Sequence, residues 1–140
     1  MTKTILLIDD EANVLSSLSR SLHKEDYRIF TARSADECVH ILKAHTIDLV
    51  VSDEMMEGMR GTDFLHWVAT FFGDIPRILL TGHLSAEVEE RALNKGDVYR
   101  VFSKPCNIEE LSQAIRDALE QRTPAIRRNS EDPAPELSCE

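Results

Sequence analysis

The sequence predicts an open α/β domain built on a parallel sheet of five strands, each followed by a helix. Three observations carry this. Short apolar runs recur at 4–8, 27–32, 47–52, 77–81 and 99–103, with starts 20 to 30 residues apart. Several are continuous rather than alternating, as in Ile5-Leu6-Leu7-Ile8 and Leu49-Val50-Val51, which suits strands covered on both faces. Between them apolar residues return at spacings of three and four, the period of an amphipathic helix. Right-handed crossovers then place helices on both sides of one doubly wound sheet.

Each element follows in order. The first strand delivers Asp9-Asp10-Glu11 at its carboxyl end, and Val14, Leu15, Leu18 and Leu22 share one face of the helix after it. The second strand leads to Ser34 with Glu37 three residues on, the spacing of a capping box. Ala35, Val39 and Leu42 form the apolar stripe of that second helix. The third strand ends in Ser52-Asp53-Glu54, and the fourth in Leu80-Thr81-Gly82-His83. A fourth helix is expected over about 85–95, with Gly96 where a terminating residue is wanted. The fifth strand runs into Ser103-Lys104-Pro105. A last helix, over about 108–121, opens at Asn107 with Glu110 three residues later. It turns Leu111, Ile115 and Leu119 inward and Glu109, Arg116 and Glu120 outward, a candidate partner face. Beyond it come Pro124, Pro133, Pro135 and the pair Arg127-Arg128, with no apolar period. The expected organisation is a folded unit over 1–122 and a disordered tail or linker over 123–140.

Bulk properties set outer limits. The 140 residues suffice for one domain with one core, and 42% apolar and 29% charged residues are ordinary for a globular chain. With 25 acids against 16 bases, the net charge of -9 argues against a direct hold on nucleic acid or an anionic membrane. No apolar run reaches bilayer length. The short apolar run after Met1-Thr2-Lys3 meets Asp9-Asp10-Glu11 too soon for a signal peptide, so a cytoplasmic location is expected. Cys38, Cys106 and Cys139 have no metal-ligand spacing and read as reduced thiols.

In an open parallel sheet the ligand site lies beyond the carboxyl ends of the strands. Those ends carry Asp9, Asp10, Asp53, Thr81 and Lys104. Taken singly, each has an ordinary explanation: a capping acid, a locally bonded hydroxyl, a solvated surface charge. Their joint placement, spread over successive strand ends, does not. Two carboxylates about 4 Å apart repel by roughly 4 kcal/mol at an effective dielectric near 20, so such a trio calls for a cation. Oxygen-only ligands with open positions suit Mg2+ beside a phosphate. Lys104 neutralises what the ion does not reach, and Thr81 offers a hydroxyl to a phosphoryl oxygen. The set meets the needs of phosphoryl transfer to an aspartate nucleophile.

Ile5-Leu6-Leu7-Ile8-Asp9-Asp10-Glu11, Asp53 with Met56 and Gly61 at offsets three and eight, Thr81-Gly82 and Lys104-Pro105 together resemble the receiver domains of bacterial response regulators. The resemblance covers about residues 1–121. It implies a flavodoxin-like (βα)5 fold with strand order 2-1-3-4-5. It implies that Asp53 accepts a phosphoryl group from the phosphohistidine of a sensor histidine kinase or phosphotransfer protein. Asp10, Asp53 and the backbone carbonyl of Met55 would ligate Mg2+ directly, and Asp9 through water. Lys104 would pair with the phosphoryl group, Thr81 would move to hydrogen-bond it, and the Lys104–Pro105 bond would be cis. The same resemblance implies a phosphoacceptor switch rather than an enzyme, catalysing only its own phosphorylation and dephosphorylation. Its output would be an effector protein, a downstream domain or a phosphorylation-dependent homodimer.

Three positions depart from the family's pattern. Glu57 replaces the usual proline four residues after the phosphoacceptor, which predicts a looser and more acidic loop. Val101 stands where an aromatic is common, with Tyr99 on the same side of the strand and Phe102 on the other. His83, two residues past Thr81, reads as a partly exposed loop histidine. The rival readings fit less well. Haloacid-dehalogenase-type enzymes need Asp-x-Asp after the first strand, an inactive scaffold would lack part of the acid–lysine set, and a dinucleotide-binding domain needs a Gly-rich turn.

Overall fold

In the computed structural model, residues 2–73, 75–96 and 98–121 are described, and the expected tail over 123–140 lies outside them. The chain runs β1 (Thr4–Ile8), α1 (Ala12–His23), β2 (Arg28–Ala32), α2 (Ala35–Ala44) and β3 (Leu49–Asp53). Two short strands follow, β4 (Met55–Met56) and β5 (Met59–Arg60), then α3 (Gly61–Phe72) and β6 (Arg77–Thr81). Next come α4 (Ala86–Arg91), a π-helical stretch (Ala92–Gly96), β7 (Arg100–Ser103) and α5 (Ile108–Gln121). The main sheet is parallel throughout, in the order β2-β1-β3-β6-β7. This is the expected 2-1-3-4-5 order once the small β4–β5 ladder, which the periodicity does not reveal, takes its own numbers.

The continuous apolar runs are explained by two cores. Strand side chains alternate, so Ile5, Leu7, Leu49, Val51, Ile78 and Leu80 point toward α1 and α5. Their neighbours Leu6, Ile8, Val50 and Leu79 point toward α2, α3 and α4. Every residue of β1, β3 and β6 is consequently buried. Edge strands β2 and β7 carry a mixed pattern.

The helices pack by the stripes the sequence shows. Leu15 and Leu22 of α1 are buried, with Val14 and Leu18 half-buried beside them. Ala35, Val39 and Leu42 of α2 are buried, joined by Cys38. Ser34 caps α2 by accepting the Glu37 N–H, while the Glu37 carboxylate reaches the N–H of Arg33 rather than of Ser34, a capping box shifted by one residue. Asn107 caps α5 through the N–H groups of Glu109 and Glu110.

Three details differ from expectation. The fourth helix is α-helical only to Arg91 and then widens into the π stretch, which keeps Ala92 in the core and leaves Leu93 exposed. Arg116 of α5 does not simply face water: its long stem lets the guanidinium pair with Glu25 beyond the end of α1. Tyr99 precedes β7 and stays at the surface, whereas Val101 packs into the α2–α3–α4 core and Phe102 into the other.

Leu79 is fully buried between β3 and β7. Leu79→Ala is expected to cost about 3 kcal/mol in urea unfolding, as buried leucine truncations do, and a loss under about 1 kcal/mol would contradict this packing.

Candidate functional site

The site grows from two neighbouring strand ends. β1 and β3 pair with Ile8 opposite Ser52, so Asp9 and Asp53 emerge side by side at the carboxyl edge of the sheet. One carboxylate oxygen from each of Asp9, Asp10 and Asp53 lies within 4.8 Å of the other two. Asp9 and Asp53 are buried, and Asp10 is the more open of the three. One oxygen of Asp9 accepts the Glu11 N–H at 2.9 Å, which turns the start of the loop before α1.

Lys104 closes the site from the end of β7. Its Nζ donates to Asp9 Oδ2 at 2.5 Å and stands 3.4 Å from Asp53 Oδ1. β6 lies between β3 and β7, with Leu80 opposite Asp53, and so brings Thr81 to the same edge. Thr81 is fully buried; its hydroxyl accepts the His83 N–H at 3.2 Å and its carbonyl accepts the Lys104 N–H at 2.8 Å. The Lys104–Pro105 bond is cis, and the His83 side chain is exposed. All five strand-end residues singled out in the sequence therefore share one edge. Met55 begins β4 two residues after Asp53, with its side chain exposed.

Crowding leaves an electrostatic mark. Burial pushes the Asp53 carboxyl above its ordinary value, and the charge of Asp9 adds to this. Lys104 and the Met55 N–H pull the other way without cancelling it. Burial alone would depress Lys104, but its contacts with Asp9 and Asp53 outweigh this and hold its ammonium above the usual range. An oxygen-only cluster of three acids with a single lysine is chemically suited to a hard divalent ion that leaves positions for phosphate oxygens.

Where Glu57 predicts a looser loop after Asp53, the segment forms a short antiparallel ladder. Met55 and Met56 pair with Arg60 and Met59 across a tight turn, in which Gly58 adopts φ +85. That left-handed backbone suits glycine. Gly61 then packs against the strand it left: a Cβ there would fall 2.0 Å from the Asp53 carbonyl oxygen. The glycine at offset eight thus permits a close backbone approach beside Asp53.

What the sequence pattern does not reveal is the state of Glu54. Its carboxylate is fully buried and takes the Thr62 N–H at 2.7 Å, with Arg60 at 2.7 Å and Arg91 of α4 at 3.8 Å. No short-range motif marks this, because its partners lie 6, 8 and 37 residues away in the chain. The only sequence signal was an acid next to Asp53 with arginines in elements that the topology folds together.

The chain matches the family model "Response regulator receiver domain" over residues 5–116. It is 36% identical over 121 residues to the transcriptional regulatory protein GlrR of Escherichia coli (strain K12), covering 86% of this chain and 27% of that protein. The chain therefore spans about a quarter of that relative's length. Among solved structures it resembles a signal receiver domain of an HD domain-containing protein from Pseudomonas fluorescens Pf-5, with TM-score 0.83, 33% identity, and 86% and 89% of the two chains covered. It also resembles the beryllofluoride-activated NtrC4 receiver domain dimer, with TM-score 0.81, 30% identity, and 87% and 100% covered.

An ionised Asp53 with a raised folded-state pKa costs stability at neutral pH, and that cost fades as pH falls through the folded pKa toward the unfolded value of 3.8. In metal-free buffer at neutral pH, Asp53→Asn is expected to raise Tm by about 2–5 °C, with the gain shrinking as the pH approaches 4. Thermal scans across that range check this, and an unchanged or lowered Tm at neutral pH would contradict it.

Proposed function

Because this chain belongs to the response regulator receiver domain family, we propose that its signalling step is transfer of a phosphoryl group to the Asp53 carboxylate. The carrying observation is the joint position of Asp9, Asp10, Asp53 and Lys104: three acids within 4.8 Å and an ammonium touching two of them. Asp10, Asp53 and the Met55 carbonyl would hold Mg2+, with Asp9 acting through water. Bound there, the ion offsets the charge of the acids and of the incoming phosphoryl oxygens.

The rest is done by the chain's own groups. An oxygen of Asp53 attacks the phosphorus of a phosphohistidine, the P–N bond breaks, and the donor imidazole keeps the electron pair and takes up a proton. Lys104, drawn to Asp9 and Asp53 before transfer, is placed to pair with a phosphoryl oxygen afterwards. Thr81 is placed to donate its hydroxyl to another. The phosphoryl group brings a charge of about −1.5 to −2 and three acceptor oxygens in place of the carboxylate's own charge, a net gain of roughly one negative charge that would rearrange the loops that meet it. Each molecule takes one phosphoryl group onto itself, so the chain acts as a switch whose chemistry is limited to gaining and losing that group.

The proposed donor is a sensor histidine kinase or a phosphotransfer protein, which goes with a cytoplasmic site of action. The proposed output is an altered contact with an effector protein or downstream domain, or a homodimer formed on phosphorylation. GlrR is by name a transcriptional regulator, and the NtrC4 receiver was solved as a dimer. The net charge of -9 supports an output through protein contact rather than direct nucleic-acid binding. Among the described residues, no helix is long and apolar enough to cross a membrane.

Incubation with acetyl phosphate and Mg2+, read by intact mass, is expected to add one phosphoryl group. Asp53→Asn and chelation of the ion should each abolish it, and Lys104→Ala should slow it by about tenfold or more, as loss of a charge-stabilising group does. Labelling that survives in Asp53→Asn would overturn the assignment.

A further inference from the structure

Asp53, Glu54 and Met55 are consecutive, but Glu54 points away from the acid cluster and into the protein. Its side chain is fully buried. One oxygen accepts the Thr62 N–H at 2.7 Å. The other accepts Arg60 Nη2 at 2.7 Å, Arg60 Nε at 2.9 Å and the Thr62 hydroxyl at 3.2 Å, with Arg91 Nε 3.8 Å away. A carboxylate held by this many donors has a single orientation, and so does the backbone that carries it.

The main chain is gripped at the same point. The Glu54 carbonyl accepts the Gly61 N–H at 2.8 Å, and Gly61 lies against the Asp53 carbonyl, where a Cβ would stand 2.0 Å away. The two arginines are anchored in turn: Arg60 to Glu87 at 3.0 Å, and Arg91 to Asp63 at 2.9 Å. The clamp therefore joins the acceptor loop, the start of α3 and α4.

This has a consequence at the site. The strand β3 holds Asp53 beside Asp9, and without an anchor the segment that leaves the strand after it would relieve that repulsion by drawing away from Asp9. The geometry points to Glu54 as a positioning residue: through Arg60, Thr62 and Arg91 it holds the 53–55 segment so that the Asp53 carboxylate and the Met55 carbonyl can meet one divalent ion. The inference rests on the proposed ion site. It adds a group that never touches the ion or the phosphoryl oxygens, yet sets where their ligands stand, as outer-shell partners of metal sites do.

The test reads ion binding without any phosphodonor. Mn2+ is titrated into the full chain and free Mn2+ is followed by electron paramagnetic resonance, with circular dichroism confirming that each variant is folded. Glu54→Gln keeps the shape and removes the charge that the arginines need; it is expected to weaken Mn2+ binding about tenfold. Should that variant fail to fold, Arg60→Met, at a half-exposed position, breaks the same pair and is expected to do likewise. Glu90→Gln removes an equal charge from an exposed position of α4 that has no part in the network and is expected to stay within about twofold of the parent. The phosphorylation rate with acetyl phosphate should show the same split, through the Mg2+ concentration needed for half-maximal rate. Parent-like Mn2+ affinity in folded Glu54→Gln or Arg60→Met would overturn the inference, as would an equal loss in Glu90→Gln. If the parent itself binds no Mn2+, the ion-site reading fails first and takes this one with it.

Discussion

Repulsion among three carboxylates governs this molecule's functional edge. Asp9 and Asp53 are carried to nearly the same place by strands that have no freedom to part, because every residue of β1 and β3 is packed between two layers of helices. Asp10 joins them from the loop. A solvated surface would dissipate such a cluster by rotating side chains into water, but here two of the three are buried. The energy of the apolar cores is thus used to hold like charges together, and Lys104 relieves only part of the strain. That incomplete neutralisation leaves the edge net negative, so a divalent cation would gain by arriving there.

Much of this was readable in the sequence, for physical reasons that can be named. A strand covered on both faces must be apolar throughout, so Ile5-Leu6-Leu7-Ile8 and Leu49-Val50-Val51 announce a parallel sheet without any structural information. Once the sheet is parallel, chemistry-bearing residues at strand ends must share an edge, and Asp9, Asp10, Asp53, Thr81 and Lys104 do. Caps such as Ser34 and Asn107 are local and therefore visible. The β4–β5 ladder is two residues a side, too short for any periodicity to register. The widening of the fourth helix at Ala92 depends on what it packs against, which composition does not encode. Glu54 is the most instructive omission. An acid beside Asp53 carries no mark of its own until the topology brings Arg60, Thr62 and Arg91 around it.

The two kinds of charge in this region have different tasks. The outward acids face each other and remain underneutralised. The inward acid, Glu54, is saturated with donors and fixed. Isolated buried ion pairs are weak contributors to stability, since desolvation offsets most of the attraction. Their value here is geometric: a saturated carboxylate one residue from Asp53 ties the 53–55 segment to the start of α3 and, through Arg91, to α4. The glycine at 61 completes the arrangement by letting the backbone close against Asp53 where a side chain would not fit.

The central claim, that acids from the ends of β1 and β3 share one divalent ion, is tested most directly by crystals grown with Mn2+ and an anomalous difference map. The account requires a single strong peak in coordination contact with the Asp10 and Asp53 carboxylates and the Met55 carbonyl, with Lys104 on the far side of Asp53. A peak held by other acids, or none at this edge in a well-ordered site, would contradict it.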